Sequence, residues 1–291
     1  MKYGMYVAYW LNEWGADYKK YIDKAAAMGF DVLEISCASF NREYDSDAKL
    51  DALKAYADEK GVLFTAGYGP TAAQNISSAD PETVKNALAF FKALMPKLHR
   101  LGIDQLGGGL YSYWPVDYTK PVDKPGDWKR AVLNMKIVAD HAAEYGINLN
   151  MEVLNRFEGY LLNTCEEAVR FVEEVNKPNV RIMLDTFHMN IEEDNIGQAI
   201  RRAGAKLGHV HLGEANRKVP GKGSMPWNEI GCALRDIKYD RAVVMEPFVM
   251  QGGTIGSEIK VWRDLVSDAS EAALDHDAQY ALHFVRQVFE A

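Results

Sequence analysis

Short apolar runs alternate with longer amphipathic stretches along the whole chain. The runs are typical of strands buried on both faces, and the stretches are typical of helices that cover such strands. This alternation favours parallel strands joined by right-handed crossovers. The strand-like runs begin near Tyr3, Asp31, Gly61, Asp104, Ile147, Val180, Leu207 and Arg241.

The amphipathic stretches carry helix start and stop signals. The stretch 17–29 has an aspartate near its start and a glycine at its end. In the stretch 80–102, Asp80 can cap the helix and Pro81 occupies its first position, whereas Pro96 predicts a kink or break. The other predicted helices cover 126–146, 164–177, 194–204, 226–237, 258–266 and 277–291.

Eight strand–helix units predict closure into a single (β/α)8 TIM barrel that spans residues 1–291. The alternative is an open doubly wound sheet. A GxGxxG turn after the first strand would favour that fold, and the sequence has none there. The glycines at 107–109 follow the fourth strand but lead into aromatic residues. They indicate a tight turn, or a close approach of backbone to a ligand, rather than a phosphate loop.

An excess of acidic residues limits the kind of partner. The chain has 41 Asp and Glu against 33 Lys and Arg, a net charge of −8. Such a protein attracts neither nucleic acid nor an anionic membrane, which leaves a small-molecule substrate. Three widely spaced cysteines indicate neither a disulfide framework nor a thiolate metal site. With no signal-peptide pattern and no apolar run of the ~20 residues that span a membrane, we predict a cytoplasmic protein.

Four acidic or imidazole side chains close strand-like runs, about one strand–helix unit apart: Glu152, Asp185, His211 and Glu246. In a barrel the carboxyl ends of the strands share one mouth, where three carboxylates repel one another unless a cation neutralises them. Any one of these residues alone is more often structural, but their recurrence favours a metal site. Oxygen ligands with one imidazole suit Mn²⁺, Co²⁺ or Mg²⁺.

Polar and aromatic residues just beyond the strand ends indicate a substrate site. Glu158, His188 and Arg217 follow three of the candidate ligands, where barrel loops carry binding groups. His188 is suited to polarise a carbonyl, and Arg217 to bind hydroxyl or enediolate oxygens. The alternatives are a surface ion pair between Glu158 and Arg217 and structural roles for His188 and for the strand residue His209. Aromatic residues that can wall a sugar are Tyr6, Trp10, Trp14, Tyr68, Tyr111, Tyr113, Trp114 and Phe248.

Two of the candidate ligands are also candidate proton carriers. Glu152 and Glu246 come from the fifth and eighth strands, so they can flank a substrate from two sides. A metal that bridges a carbonyl and a neighbouring hydroxyl oxygen acidifies the C–H bond between them. One glutamate can remove that proton and the other can return one to the opposite face, which is an epimerisation. With one productive carboxylate, the site favours aldose–ketose isomerisation or loss of water.

Several segments resemble the D-tagatose and D-psicose (D-allulose) 3-epimerase family of the xylose isomerase-like barrel superfamily, most of all its D-psicose branch. They are LYSYWPVDYTK, EVLNRFEGYLLNT, RIMLDTFHMNIEEDNIG, GHVHLGEANRKVPGKG and VVMEPFV. The resemblance covers nearly the whole chain. It implies a metal-dependent interconversion of the free ketohexoses D-fructose and D-psicose at carbon 3, through a cis-enediolate, with Mn²⁺ or Co²⁺. It also implies a homodimer or homotetramer.

The resemblance implies roles for single residues as well. It implies a metal held by Glu152, Asp185, His211 and Glu246, with the two glutamates as the acid–base pair. It implies contacts to the carbonyl end of the sugar from Glu158, His188 and Arg217. It implies an apolar wall at the far end from Tyr6, Trp14, Trp114 and Phe248. Gly109 stands where relatives often have alanine, which loosens the expected contact with the distal hydroxyls and leaves the preferred ketose open.

Three other functions compete with a ketose 3-epimerase. The first is a related barrel enzyme, either an aldose–ketose isomerase or a keto-polyol dehydratase. The second is a DNA-repair nuclease on the same barrel, but such sites need many histidines, and the acidic net charge has the wrong sign for DNA. The third is a sugar-binding protein without catalytic activity, which would bind ketose without proton exchange.

Overall fold

The computed structural model describes the backbone of residues 1–291 and the side chains of all of them except Asn41. Its strands form one closed parallel barrel in chain order, in which the last strand pairs with the first. This confirms the predicted (β/α)8 fold and excludes the open doubly wound sheet. The strands are β1 (Lys2–Tyr6), β2 (Val32–Ser36), β3 (Leu63–Gly67), β4 (Gln105–Gly108), β5 (Asn148–Glu152), β6 (Val180–Asp185), β7 (Leu207–Leu212) and β8 (Ala242–Met245).

Helices follow the strands and form the outer layer of the barrel. They are α1 (Lys19–Met28), α2 (Asp47–Lys60), α3 (Pro81–Arg100), α4 (Lys124–Ala143), α5 (Cys165–Val175), α6 (Thr186–Glu192), α7 (Ile196–Ala203), α8 (Trp227–Asp236), α9 (Gly253–Ile259) and α10 (Glu271–Phe289). Helix α2 was not predicted from the sequence, because only Leu50, Leu53 and Ala57 form its buried stripe. None of the helices in the described chain is long and apolar enough to cross a membrane.

The structure contradicts a helix break at Pro96 and the position of the helix over 258–266, while the alternative of a kink at Pro96 stays a prediction. Helix α3 continues past Pro96, because the proline lies on the exposed face while Leu94, Met95 and Leu98 keep the opposite face in the core. The helix predicted over 258–266 lies earlier in the chain, as α9. It ends at Ile259, because the next residue, Lys260, has a left-handed backbone with φ 67° that does not continue a helix.

Side chains along each strand alternate between the helical layer and the barrel interior. In β2, Leu33 and Ile35 are buried on either side of Glu34. Glu34 reaches across the interior to β7, so its two neighbours face the helices. The barrel interior therefore contains a buried polar layer just below the carboxyl ends of the strands.

Candidate active site

The four candidate ligands lie together at the carboxyl ends of neighbouring strands. Glu152 and Asp185 are the last residues of β5 and β6, and the strand register places Asp185 beside His211 of β7. Glu246 follows β8 directly. One ligand atom from each residue lies within 4.8 Å of the others. The strand-end pattern in the sequence thus corresponds to one compact group in space.

The carboxyl groups of Glu152 and Asp185 are unfavourable to ionise in this buried position. Burial raises the pKa of the Glu152 carboxyl well above its ordinary value, and the adjacent Glu246 carboxylate raises it further. Burial likewise raises the pKa of Asp185, and Glu246 again adds to the shift. Without a cation, the carboxyls reduce their repulsion by keeping protons. A divalent ion would offset both shifts, because its charge stabilises the ionised carboxylates.

Two buried atoms of the group have no hydrogen-bond partner among the described residues, namely Asp185 Oδ2 and His211 Nδ1. They lie 3.9 Å apart, and Glu246 Oε1 lies 3.2 Å from His211 Nδ1 without hydrogen-bond geometry. Unpaired buried polar atoms are costly, and an ion between them would satisfy both. The four residues therefore fit a divalent metal ion.

Local structure orients the carboxylate of Asp185. The residue caps α6, and its Oδ1 accepts hydrogen bonds from the backbone N–H groups of Phe187 at 2.6 Å and His188 at 3.3 Å. Oδ2 is left without a partner. One oxygen thus holds the helix start, and the other is free to hold an ion.

His188 lies in the first turn of α6, not in a loop as the sequence suggested. Its ring is buried, and Asn155 Nδ2 donates a hydrogen bond to Nδ1 at 2.8 Å. This leaves the proton on Nε2, which lies 3.8 Å from Glu152 Oε1. Burial lowers the pKa of His188, which favours a neutral ring that donates one hydrogen bond into the site. Asn155 was not identified from the sequence, because its role depends on a contact to α6.

Glu158 and Arg217 form an ion pair at 3.0 Å, but not at the surface, since their side chains are only 18% and 7% exposed. The alternative of a surface pair is therefore wrong. The Arg217 guanidinium also lies 3.5 Å from Glu246 Oε2 and stacks on Phe187. Burial raises the pKa of Glu158, but the charge of Arg217, with hydrogen bonds from Arg217 and Asn155, outweighs burial and holds it below its usual range. Nη1 of Arg217 has no hydrogen-bond partner, so a donor remains for a ligand.

A cavity of about 550 Å³ opens above this group, a size typical of small-molecule sites. Glu152, His211 and Glu246 reach its wall, whereas Asp185 lies fully buried behind them. Most of the residues predicted to contact a sugar line the cavity, whereas Trp10, Tyr111 and Tyr113 do not. Those that line it are Tyr6, Trp14, Tyr68, Gly109, Trp114, Glu158, His188, Arg217 and Phe248.

An aromatic cluster covers one side of the cavity. Trp14 contacts Trp114 and Phe248 edge-on at 5.9 and 6.1 Å, and Tyr6 contacts Phe248 at 6.4 Å. Trp10 packs elsewhere, since its ring lies on Tyr21. Among the strand-end aromatics, the structure therefore separates those that face the cavity from those that belong to the core.

The glycines at the end of β4 and just after it line part of the cavity. A Cβ at Gly107 would lie 2.6 Å from Met183 Sδ, and one at Gly108 would lie 2.2 Å from the carbonyl oxygen of Tyr68. Gly108 also has a left-handed backbone with φ 123°. Gly107 and Gly108 thus approach neighbouring protein atoms closely, and the predicted approach to a ligand stays a prediction. At Gly109 a Cβ would make an ordinary contact of 3.6 Å with Leu154.

Glu34 is the main residue of this region that sequence reasoning missed. It is fully buried in the middle of β2, and its Oε1 accepts a hydrogen bond from His211 Nε2 at 2.6 Å. Its Oε2 accepts hydrogen bonds from His209 Nε2 at 2.8 Å and Thr65 Oγ1 at 2.6 Å. A charged residue inside an otherwise apolar strand was the available signal, because such residues are rarely buried unless paired.

Known proteins share this fold and this sequence. A family model for xylose isomerase-like TIM barrels matches residues 22–270. The D-psicose 3-epimerase of Enterocloster bolteae is 64% identical over 289 residues, which cover 99% of this chain and 96% of the relative. The D-psicose 3-epimerase of Agrobacterium fabrum is 54% identical and covers 99% of both chains.

Solved structures agree with these relatives. The D-psicose 3-epimerase of Clostridium cellulolyticum H10, solved with D-tagatose, is 56% identical with a TM-score of 0.98. A D-psicose 3-epimerase solved in the presence of D-fructose is 52% identical, also with a TM-score of 0.98. Both comparisons cover 100% of each chain. The chain therefore belongs to the D-psicose 3-epimerase family of xylose isomerase-like TIM barrels.

Proposed function

We propose that this protein is a metal-dependent ketose 3-epimerase that interconverts D-fructose and D-psicose. The observation that carries the proposal is the pair of glutamates, Glu152 and Glu246, that both belong to one ligand group at the floor of the cavity. The names of the full-length relatives support the same reaction. They favour it over an aldose–ketose isomerase or a keto-polyol dehydratase.

The proposed cofactor is one divalent ion, Mn²⁺ or Co²⁺, with Mg²⁺ as the alternative. Glu152, Asp185, His211 and Glu246 would hold it. When bound, such an ion polarises the carbonyl and the neighbouring hydroxyl oxygen of the sugar and so acidifies the C–H bond at carbon 3. The unpartnered Asp185 Oδ2 and His211 Nδ1 support this assignment.

The side chains around the proposed metal site have two roles, namely proton transfer at carbon 3 and hydrogen bonding to the sugar oxygens. One of Glu152 and Glu246 removes the proton from carbon 3 to give a cis-enediolate, and the other returns a proton to the opposite face. The Nε2–H of His188 donates a hydrogen bond to the carbonyl oxygen, and Nη1 of Arg217 donates one to a hydroxyl oxygen. Glu158 holds Arg217 in place through their ion pair.

The remaining residues bind the sugar and exclude water. Tyr6, Trp14, Trp114 and Phe248 present apolar ring surface to the far end of the sugar, as the family resemblance implies. The extent of the barrel domain over 1–291, the cytoplasmic location, and the homodimer or homotetramer stay predictions.

Deuterium exchange tests the proposal directly. The metal-loaded protein is incubated with D-fructose in D₂O, and carbon 3 is followed by NMR. We expect a second ketose, D-psicose, and deuterium at carbon 3 in both sugars. An aldose or a dehydrated product would favour the alternative enzymes, and binding without exchange would indicate a sugar-binding protein. No exchange at carbon 3 would contradict the proposed reaction.

Replacing Gly109 by alanine is expected to change sugar affinity without loss of stability, because the added Cβ meets only Leu154 at an ordinary distance. Burying one methyl group changes the free energy of sugar binding by about 0.8 kcal/mol. We therefore expect KM to shift about four-fold for ketoses that contact residue 109. KM values for a panel of ketoses check this. The matched control is Gly108→Ala, which should lower the melting temperature because φ is 123° and the Cβ would clash with Tyr68. Equal KM values for Gly109→Ala and the parent would count against Gly109 as a contact residue.

A further inference from the structure

The buried carboxylate of Glu34 is held by histidines and a threonine on other strands. Residues of β2 and β7 lie on different sides of the barrel, yet Glu34 contacts His209 and His211 through its two oxygens at 2.8 and 2.6 Å. Thr65 on the neighbouring strand β3 donates to the same oxygen as His209. A carboxylate is costly to bury, so this fully buried one depends on these donors.

The contact between Glu34 and His211 determines how the imidazole is used. A carboxylate accepts, so Nε2 of His211 carries the proton that it donates to Glu34 Oε1. In the neutral ring, which is the form that binds a metal, the lone pair is then on Nδ1, the atom that has no hydrogen-bond partner and lies in the ligand group. One hydrogen bond therefore sets both the tautomer and the direction of the ring.

The second oxygen keeps Glu34 itself from rotating. Oε2 accepts from both His209 Nε2 and Thr65 Oγ1, which leaves Oε1 directed at His211. The space around it is small, since a Cβ at Gly67 would lie 3.4 Å from Oε1. Packing and hydrogen bonds thus restrict the carboxylate to one orientation.

We infer that Glu34 is a positioning residue of the metal centre, which orients His211 and increases its strength as a ligand. Carboxylates behind metal-bound histidines act in this way in general. The inference rests on the metal site of the proposed function and assigns a role to a residue outside the cavity wall. Through Glu34, His209 and Thr65 acquire a role in supporting the metal site.

A second ion between Glu34, His209 and His211 is the competing interpretation, because these residue types can also bind metal. The distances of 2.8 and 2.6 Å from the two ring nitrogens to the carboxylate are those of hydrogen bonds. An ion there would have to displace both ring protons. The hydrogen-bonded arrangement therefore favours support of one ion over binding of two.

The test is the affinity for Mn²⁺, measured without any sugar. The chelator-treated parent and Glu34→Gln are titrated with Mn²⁺ by calorimetry, and folding of both is checked by circular dichroism. Glutamine keeps the shape and one acceptor oxygen but loses the charge. We expect one ion per chain in both proteins and a Kd that is about 10–100-fold higher in Glu34→Gln. An unchanged Kd, or two ions per parent chain, would overturn the inference.

Two further variants separate support of the metal from general stability. Asn150→Ala removes a buried polar side chain elsewhere in the barrel interior, where Asn150 bonds to Gln105. It should lower the melting temperature but leave the Mn²⁺ affinity unchanged, and an equal loss of affinity would contradict a specific role for Glu34. If Glu34→Gln does not fold, Thr65→Val decides, because it removes one of the two donors to Oε2. Its Kd should rise, and an unchanged value would refute the inference.

The result is independent of the sugar reaction. If the parent protein binds no metal, the metal part of the proposed function fails. If the parent binds Mn²⁺ and Glu34→Gln binds it equally well, only the role of Glu34 fails.

Discussion

Replacing either Glu152 or Glu246 by glutamine is expected to lower turnover of D-fructose by about 10²–10⁴-fold, the contribution typical of a positioned acid or base. The amide oxygen of glutamine can still bind an ion, but at neutral pH the amide neither removes a proton from carbon as a base nor returns one as an acid. Both glutamates lie in one ligand group, so each variant removes one of two proton carriers. Initial rates at saturating Mn²⁺, with metal content measured in parallel, check the result.

Exchange without epimerisation distinguishes the two carriers. Each variant keeps one glutamate, which faces carbon 3 of only one of the two ketoses. In D₂O we therefore expect one variant to exchange the carbon 3 proton of D-fructose and the other to exchange that of D-psicose. A variant that exchanges both sugars, or that keeps full turnover, would contradict the model of two proton carriers.

Asp185→Asn is the matched control. Asp185 is fully buried and lies behind the cavity wall, so it has no path to the sugar. Its substitution should weaken Mn²⁺ binding, and saturating Mn²⁺ should restore more turnover than in Glu152→Gln. A loss of turnover equal to that of Glu152→Gln, with the metal bound, would show that the residues cannot be separated into ligands and proton carriers.

Removing the metal is expected to abolish turnover and to make the stability of the protein more sensitive to pH. Burial raises the folded-state pKa of Glu152 and of Asp185, so their protonated forms are favoured in the metal-free fold. The stability they contribute is present below the ordinary carboxyl pKa of about 4 and is lost as pH rises through the raised values. Metal binding requires ionised ligands, so the affinity for the metal increases as the pH rises over the same range.

The difference in melting temperature between Mn²⁺-loaded and metal-free protein should therefore increase from acidic to neutral pH. At a free Mn²⁺ concentration of about 100 times Kd, binding contributes about 2.7 kcal/mol, which corresponds to roughly 4 °C for a chain of this length. Thermal unfolding with and without chelator, at several pH values, measures this. Carboxyls with a lowered pKa, such as Glu158, are present in both samples, so they largely cancel in the difference. A difference that does not depend on pH would contradict the assigned ligands.

The sequence was sufficient to predict the barrel fold and the group of candidate metal ligands at the carboxyl ends of its strands. The alternation of strands and helices requires parallel pairing, and eight units close the sheet. Once the barrel is closed, residues at strand ends must meet, which is why Glu152, Asp185, His211 and Glu246 could be placed together without coordinates. Errors occurred where one local signal was followed, as at Pro96 and in the stretch 258–266.

The sequence by itself thus determined the topology and the residue types at the barrel mouth, because both depend on periodic patterns along the chain. Only the tertiary structure decided which side chains support the site. Glu34 and His211 are 177 residues apart, and their hydrogen bond depends on the width of the closed barrel. Asn155 and His188, which share a hydrogen bond, lie on different strand–helix units. Such contacts leave no periodic signal, since they are set by distances across the barrel that exist only after the chain has folded.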